Sequence, residues 1–135
     1  MKSKKIICTS GYFDPLHVGH LRLFEDAKKL GTWLVVIINN DKQASTKKGK
    51  PFMLVEERKK IIEALRIVDE VVISIDQDQT VRETLRTIKP HVFAKGGDSV
   101  PENVPELVVC KELDIETIFD IGGKKIQSSS WLTKK

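Results

Sequence analysis

Short apolar, β-branched runs alternate with stretches of helical spacing along the whole chain. This alternation restricts the fold more than any other feature. Lys5–Thr9 is an apolar run that stops at Ser10-Gly11. His20–Leu30 spaces Leu21, Leu23, Phe24, Ala27 and Leu30 as a helix does, with Gly31 expected at its C′ position. Trp33–Ile38 is apolar on both faces, as a buried parallel strand should be. Asn39–Pro51 is polar and lysine-rich and reads as a loop. Val55–Ile67 is a second amphipathic helix, Glu70–Ile75 a third strand, and Thr80–Ile88 a third helix stopped by Lys89-Pro90. His91–Ala94 is a fourth strand, Pro105–Leu113 a short helix and Ile115–Phe119 a fifth strand. Ser128–Lys134 is expected to add a final helical turn or two.

Strand–helix repetition with short connections predicts an α/β, doubly wound fold around a five-stranded parallel sheet. Right-handed crossovers restrict its topology further. The length of 135 residues suits one domain spanning residues 1–135. Open sheets of this kind bind ligands beyond the carboxyl ends of their strands. That rule singles out the loops Ser10–His20, Asn39–Pro51 and Lys95–Asn103.

Composition removes several classes of function. The longest apolar run, Leu34–Ile38, is too short to cross a bilayer, so no membrane partner is expected. The basic start Met1–Lys5 is not followed by a long apolar segment, so no export signal is read and a cytoplasmic location is expected. The net charge of +4 suits a small anion as well as a polyanion. No basic–aromatic interleaving appears, so nucleic acid is not an expected partner. Cys8 and Cys110 have no metal-ligand spacing and read as buried core thiols.

The first loop, Gly11-Tyr12-Phe13-Asp14-Pro15-Leu16-His17-Val18-Gly19-His20, holds the chemistry. Gly11 is expected to turn the chain off the strand, and Gly19 to let backbone approach a ligand. A helix begins here, and its N-terminal dipole favours an anion. His17 and His20 can face one ligand and donate hydrogen bonds to phosphate oxygens, stabilising charge that builds during transfer. With no nearby cysteine or clear carboxylate partner, the pair makes a poor zinc shell. Lys47, Lys48 and Lys50 in the second loop can neutralise phosphate, or form a solvated run. Gly96 and Gly97 after Lys95 suit the approach of a flat base or ribose, or a plain tight turn. Ser128, Ser129 and Ser130 could bind phosphate at a helix start, or serve as an ordinary N-cap.

Gly11-x-Phe13-Asp14-x-x-His17-x-Gly19-His20 resembles the signature of the cytidylyltransferase-like nucleotidyltransferases. That group includes glycerol-phosphate cytidylyltransferases, heptose-phosphate adenylyltransferases and pantetheine-phosphate adenylyltransferases. The likeness continues through Lys48-Gly49-Lys50-Pro51, Glu57-Arg58 and Leu65-Arg66-x-Val68-Asp69. Lys95-Gly96-Gly97-Asp98 is similar to a segment of the heptose enzymes, and Gln127-Ser128-Ser129-Ser130 to the start of the family's last helix. The resemblance implies a Rossmann-like sandwich, with His17, His20 and Lys48 as catalytic residues. It places Gly11, Tyr12, Phe13, Asp14, Gly19, Lys95, Gly96, Gly97, Asp98, Gln127, Ser128, Ser129 and Ser130 at the nucleotide. Asp14 would serve the acceptor or Mg²⁺, and Tyr12 and Phe13 would also pack the loop.

Three departures bear on the base and its contacts. Gln127 stands where the family has isoleucine, and Thr133, beside Lys134, where it has a basic residue. The Arg-Thr pair common in cytidylyltransferases is replaced by Gly and Lys residues within Ile121–Lys125, which favours adenine over cytosine. The expected reaction moves a nucleoside monophosphate from ATP, or second from CTP, to a phosphorylated sugar or small alcohol. Mg²⁺ would enter with the triphosphate, and a homodimer is implied by the resemblance alone. Rival readings are a glycerol-phosphate-type cytidylyltransferase, a non-catalytic nucleotide sensor on the same fold, and a dinucleotide oxidoreductase. The last lacks the Gly-x-Gly-x-x-Gly fingerprint after its first strand.

Overall fold

In a computed structural model of the chain, five strands form one parallel sheet. The structure describes residues 4–97 and 101–122. The strands are β1 (Ile6–Gly11), β2 (Trp33–Ile38), β3 (Glu70–Ile73), β4 (Val92–Gly96) and β5 (Glu116–Ile121). The helices are α1 (Val18–Lys28), α2 (Asp41–Lys48), α3 (Val55–Glu63), α4 (Arg82–Ile88) and α5 (Leu107–Glu112), with a 3₁₀ turn at Pro101–Asn103. The strand order is β3-β2-β1-β4-β5, so the order reverses between β1 and β4.

Alternating side chains divide the interior into two cores. Ile7, Leu34, Val36 and Ile38 pack with Phe24 and Ala27 of α1 and Ile62 of α3 on one face. Cys8, Val35, Ile37 and Phe93 pack with Val81 and Leu85 near and in α4, and with Val109 and Cys110 of α5, on the other. The expected doubly wound α/β architecture is therefore present.

Four details differ from the sequence expectation. Residues 41–48 are helical rather than loop. Asn40 and Gln43 form a reciprocal capping box there. Among the residues of α2 whose burial is described, only Gln43 and Ala44 are buried, too few to imprint an apolar period. The second predicted helix stops at Glu63, with Ala64 as C-cap. α1 starts at Val18, with His17 as its N-cap and Lys29 as its C-cap, so Gly31 lies beyond the C′ position. Gly31 is needed for space instead, because a Cβ there would lie 2.5 Å from the Lys5 carbonyl oxygen. Gly11 belongs to β1 and pairs with Ile38 rather than turning off the strand. Its missing Cβ makes room for the Phe13 ring, which would sit 2.8 Å away.

Candidate active site

The sheet opens where its strand order reverses. β1 pairs with β2 from Ile6 to Gly11, but with β4 only at Ile7–Val92 and Cys8–Phe93. A side-chain bond from Thr9 Oγ1 to the Ala94 carbonyl, 3.0 Å, is the next link. Beyond it the carboxyl ends of β1 and β4 border a crevice of the kind that binds ligands in such sheets. The first loop lies on one side. Lys95, Gly96 and Gly97 lie on the other, with Lys95 Nζ 5.4 Å from the centre of the Phe93 ring.

His17 and His20 meet at the start of α1. Their rings are stacked, with centroids 3.7 Å apart and planes inclined at 24°. His17 Nδ1 accepts the Gly19 N–H, and His20 Nδ1 accepts the His17 N–H, each at 3.1 Å. With Nδ1 accepting, the proton of each neutral imidazole sits on Nε2, which makes Nε2 the donor. The Gly19 and His20 backbone N–H groups are engaged with His17. The helix start can thus offer an anion its dipole and its imidazoles more than these two N–H groups.

Phe13 fixes the pair from below. It takes a left-handed backbone conformation, φ 51°. Its buried ring meets His20 edge-on at 4.8 Å and Phe24 at 5.2 Å. The Phe13 ring belongs to the α1 core, so it packs the loop that carries the histidines.

Asp14 is also buried. Its two carboxylate oxygens accept the backbone N–H groups of Phe52 and Met53, each at 2.7 Å. These bonds fasten the first loop to the segment that leads into α3. A carboxylate that accepts two backbone donors holds the loop in register.

Arg58 completes this frame, and sequence reasoning assigned it no role. Its side chain is fully buried. Nη1 donates to the carbonyls of Tyr12 and Asn39, both at 2.8 Å, and Nε donates to Met53 O at 3.0 Å. Nη2 pairs with Asp41 Oδ1 at 2.8 Å. One guanidinium thus joins the first loop, the end of β2, the start of α2 and the lead into α3, a task its planar fork of donors suits. A sequence signal existed: Arg58 lies four residues before Ile62, on a stripe that is otherwise apolar.

A second polar frame supports α2 from the β3 side. Asn40 Nδ2 donates to the carbonyls of Ser74 and Asp76, and Gln43 Nε2 to those of Asp78 and Thr80. Tyr12 is half-buried, and burial pushes its phenol up, so it stays a donor. Its hydroxyl donates to Gln79 Oε1, and Lys47 Nζ lies 4.3 Å from the centre of its ring.

The remaining expectations fall into three groups. Lys48 is the last residue of α2, and its side chain is not among those described. Asp98, Gln127, Ser128, Ser129 and Ser130 lie outside the described residues, as does the predicted final helix. Cys8 and Cys110 are buried as expected, and burial raises both thiols, so neither is primed as a nucleophile. The third histidine, His91, sits at the opposite end of the sheet, where its Nδ1 accepts the Ile6 N–H at 2.9 Å. Among the described residues, no helix is long and apolar enough to cross a membrane.

A parallel sheet with a histidine pair at a helix start beside its switch point defines the nucleotidyltransferase class of α/β proteins. Within that class, the chain belongs to the cytidylyltransferase-like family, which it matches over residues 8–130. It is similar to the bifunctional protein HldE of Pelobacter propionicus, at 38% identity over 127 residues, covering 91% of this chain and 26% of that protein. It is also similar to an FAD synthase of Ferroglobus placidus, at 43% identity over 95 residues, covering 70% of this chain and 60% of that one. The crystal structure of a lipopolysaccharide core biosynthesis protein from Thermoplasma volcanium shares the fold. Its TM-score is 0.76 at 24% identity, covering 91% of this chain and 100% of that one. The chain therefore spans 26% of the HldE relative and 60% of the FAD synthase.

Proposed function

We propose that the protein transfers a nucleoside monophosphate from a nucleoside triphosphate to a phosphorylated small molecule, with ATP preferred to CTP. The stacked His17–His20 pair beside the β1–β4 crevice is the observation that carries this reading. A phosphate oxygen of the acceptor attacks the α-phosphorus and a new P–O–P bond forms. The bond from the α-phosphorus to the bridging oxygen breaks, and pyrophosphate leaves with its electron pair. The imidazole Nε2–H groups donate to phosphate oxygens as charge builds on them. Positioning supplies the rest of the acceleration, and Asp14 and Arg58 provide it by holding the loops together.

Among the described residues, no group of three or more histidines, cysteines or carboxylates could hold a metal ion. Mg²⁺ would enter with the triphosphate, where it neutralises phosphate charge. The preference for ATP draws on the similarity to an FAD synthase, whose product contains adenine, and on the Gly-Lys segment near residue 123. The acceptor class, a sugar or small alcohol phosphate, draws on the resemblance of Lys95-Gly96-Gly97-Asp98 to the heptose enzymes.

The test is pyrophosphate release with Mg²⁺, comparing ATP with CTP across sugar phosphates, glycerol 3-phosphate, FMN and phosphopantetheine. Acceptor-dependent release, faster with ATP, is expected. Triphosphate binding without release under any acceptor would overturn the reading in favour of a nucleotide sensor.

A further inference from the structure

We propose that Glu106 is a positioning residue of the transfer reaction, a clamp that holds the β4 wall of the crevice in place relative to the histidines. Its effect on rate rests on the transfer reading above, and its effect on triphosphate binding on the crevice alone.

The crevice needs such a clamp. β4 is paired with β5 as far as Gly96, which lies opposite Ile121, yet its backbone pairing with β1 ends at Cys8–Phe93. The Thr9–Ala94 side-chain bond is the next link. Lys95–Gly97 therefore belong to the β4–β5 half of the sheet, while His17 and His20 follow β1 in the other half. Past Ala94, the gap between the halves is set by the elements packed across it.

α4 and α5 cover one face there. Val81, at the start of α4, and Val104, ahead of α5, share a core with Cys8 and Phe93. Glu106 is the N-cap residue of α5, a place where a polar side chain commonly accepts an N–H of its own helix. Its side chain makes no such bond. Oε2 accepts instead the N–H of Val81, 25 residues earlier, at 2.9 Å. Val81 is the N-cap of α4 and brings no side-chain cap of its own. A carboxylate that is 6% exposed beside apolar side chains is costly unless it is hydrogen-bonded, and this bond supplies that partner.

The clamp connects both halves. Thr80, next to Val81, gives its carbonyl to Gln43 of α2, and Gln79 accepts the Tyr12 hydroxyl, so the segment that Glu106 grips is joined to the first loop. α5 in turn packs on β5. The charges agree with this placement. Burial raises the Tyr12 phenol, Arg58 opposes the rise and Glu106 adds to it. Burial also raises the Cys110 thiol, against a hydrogen bond with Thr117, while Glu106 adds to the rise and Lys95 opposes it. One carboxylate is thus felt at the first loop and beside the Lys95 wall.

Three variants separate reach from charge. Glu106→Gln keeps an acceptor oxygen at the same reach without the charge. Glu106→Asp keeps the charge and withdraws the oxygens by one methylene. Glu106→Ala removes both. Gly31→Ala, whose Cβ would meet the Lys5 carbonyl at the opposite end of the sheet, controls for lost stability alone. All are measured at a temperature where unfolding curves show them folded. In calorimetric titration with Mg²⁺ and a non-hydrolysable ATP analogue, Kd should rise about 10-fold in Glu106→Asp and Glu106→Ala, a loss of about 1.4 kcal/mol. It should stay within about 2-fold in Glu106→Gln and Gly31→Ala. At saturating triphosphate, kcat for pyrophosphate release should fall about 10–100-fold in the same two variants, because the α-phosphorus drifts from the histidines. If Glu106→Ala does not fold, the Gln and Asp variants decide. Unchanged Kd and kcat in Glu106→Asp, or equal losses in Glu106→Gln or in Gly31→Ala, would overturn the clamp. If the wild-type protein binds the analogue but releases no pyrophosphate with any acceptor, the transfer reading fails. The expected order of Kd values then still upholds the clamp, while equal values overturn it. A wild-type protein that binds no analogue overturns both.

Discussion

Arg58 Nη1 donates to the carbonyl oxygen of Tyr12 at 2.8 Å, which fastens α3 to the loop that carries both site histidines. The same guanidinium serves Asn39, Met53 and Asp41. Arg58→Ala would strand three carbonyls and one carboxylate. The expected loss of unfolding free energy is about 2–4 kcal/mol, because buried carbonyls lose a charged donor while Asp41 keeps the Val55 N–H. Urea unfolding measures it. A loss below about 1 kcal/mol would show that water replaces these bonds.

Asp14 should separate loop positioning from stability. In Asp14→Asn one carboxylate oxygen becomes an NH₂ group facing a backbone N–H, so one of the Phe52 and Met53 bonds is lost. About 1–3 kcal/mol of stability should go with it. Turnover should fall further than that loss implies, because the two loops lose their register. Unchanged kcat in the folded variant would mean that the latch does not position the site.

His17 is both N-cap and site residue, so alanine alone would confuse the two roles. Asn is among the best N-cap residues but lacks the imidazole Nε2 donor. His17→Asn should therefore keep stability within about 1 kcal/mol of wild type while kcat falls about 10²–10³-fold. His20→Ala should show a similar fall. Near-normal rates in both folded variants would remove the histidines from the mechanism.

Acid should loosen the loop before α4 through Asp78. The Thr80 hydroxyl and N–H, with Arg82, hold this carboxyl down at about 2. A carboxyl lowered on folding adds stability above its unfolded pKa of about 3.9. That contribution disappears as pH falls through about 2. The side chain is 54% exposed, so solvent screening keeps the effect small. In Asp78→Asn, this part of the stability change between about pH 4 and about pH 2 should vanish, as compared by urea unfolding. An identical acid profile would show that Asp78 contributes nothing.

Two glycines separate space from backbone conformation. Gly31→Ala would bring a Cβ to 2.5 Å from a backbone carbonyl, which cannot rotate away. It should cost about 1–3 kcal/mol. Gly49→Ala meets open space but has φ +88°, so it should cost about 1 kcal/mol through strain alone. Thermal unfolding ranks the two, and a larger cost at Gly49 would contradict the packing argument.

The sequence by itself determined all five strands, the helices that bury an apolar face and the place of the histidine pair. These depend on local periodicity and on a motif contained within ten residues. It did not reveal α2, because a helix held by the Asn40–Gln43 capping box and burying little apolar surface has no stripe to read. Only the tertiary structure decided that Asp14 faces Phe52 and Met53, that Arg58 joins four segments, and that Tyr12 meets Gln79. The bonds that tie Tyr12 and Asp14 of the first loop to later segments join residues 38 to 67 positions apart, and no local pattern specifies such partners. They form because the sheet order brings the carboxyl ends of β1, β2 and β3 side by side, where buried polar groups must find one another.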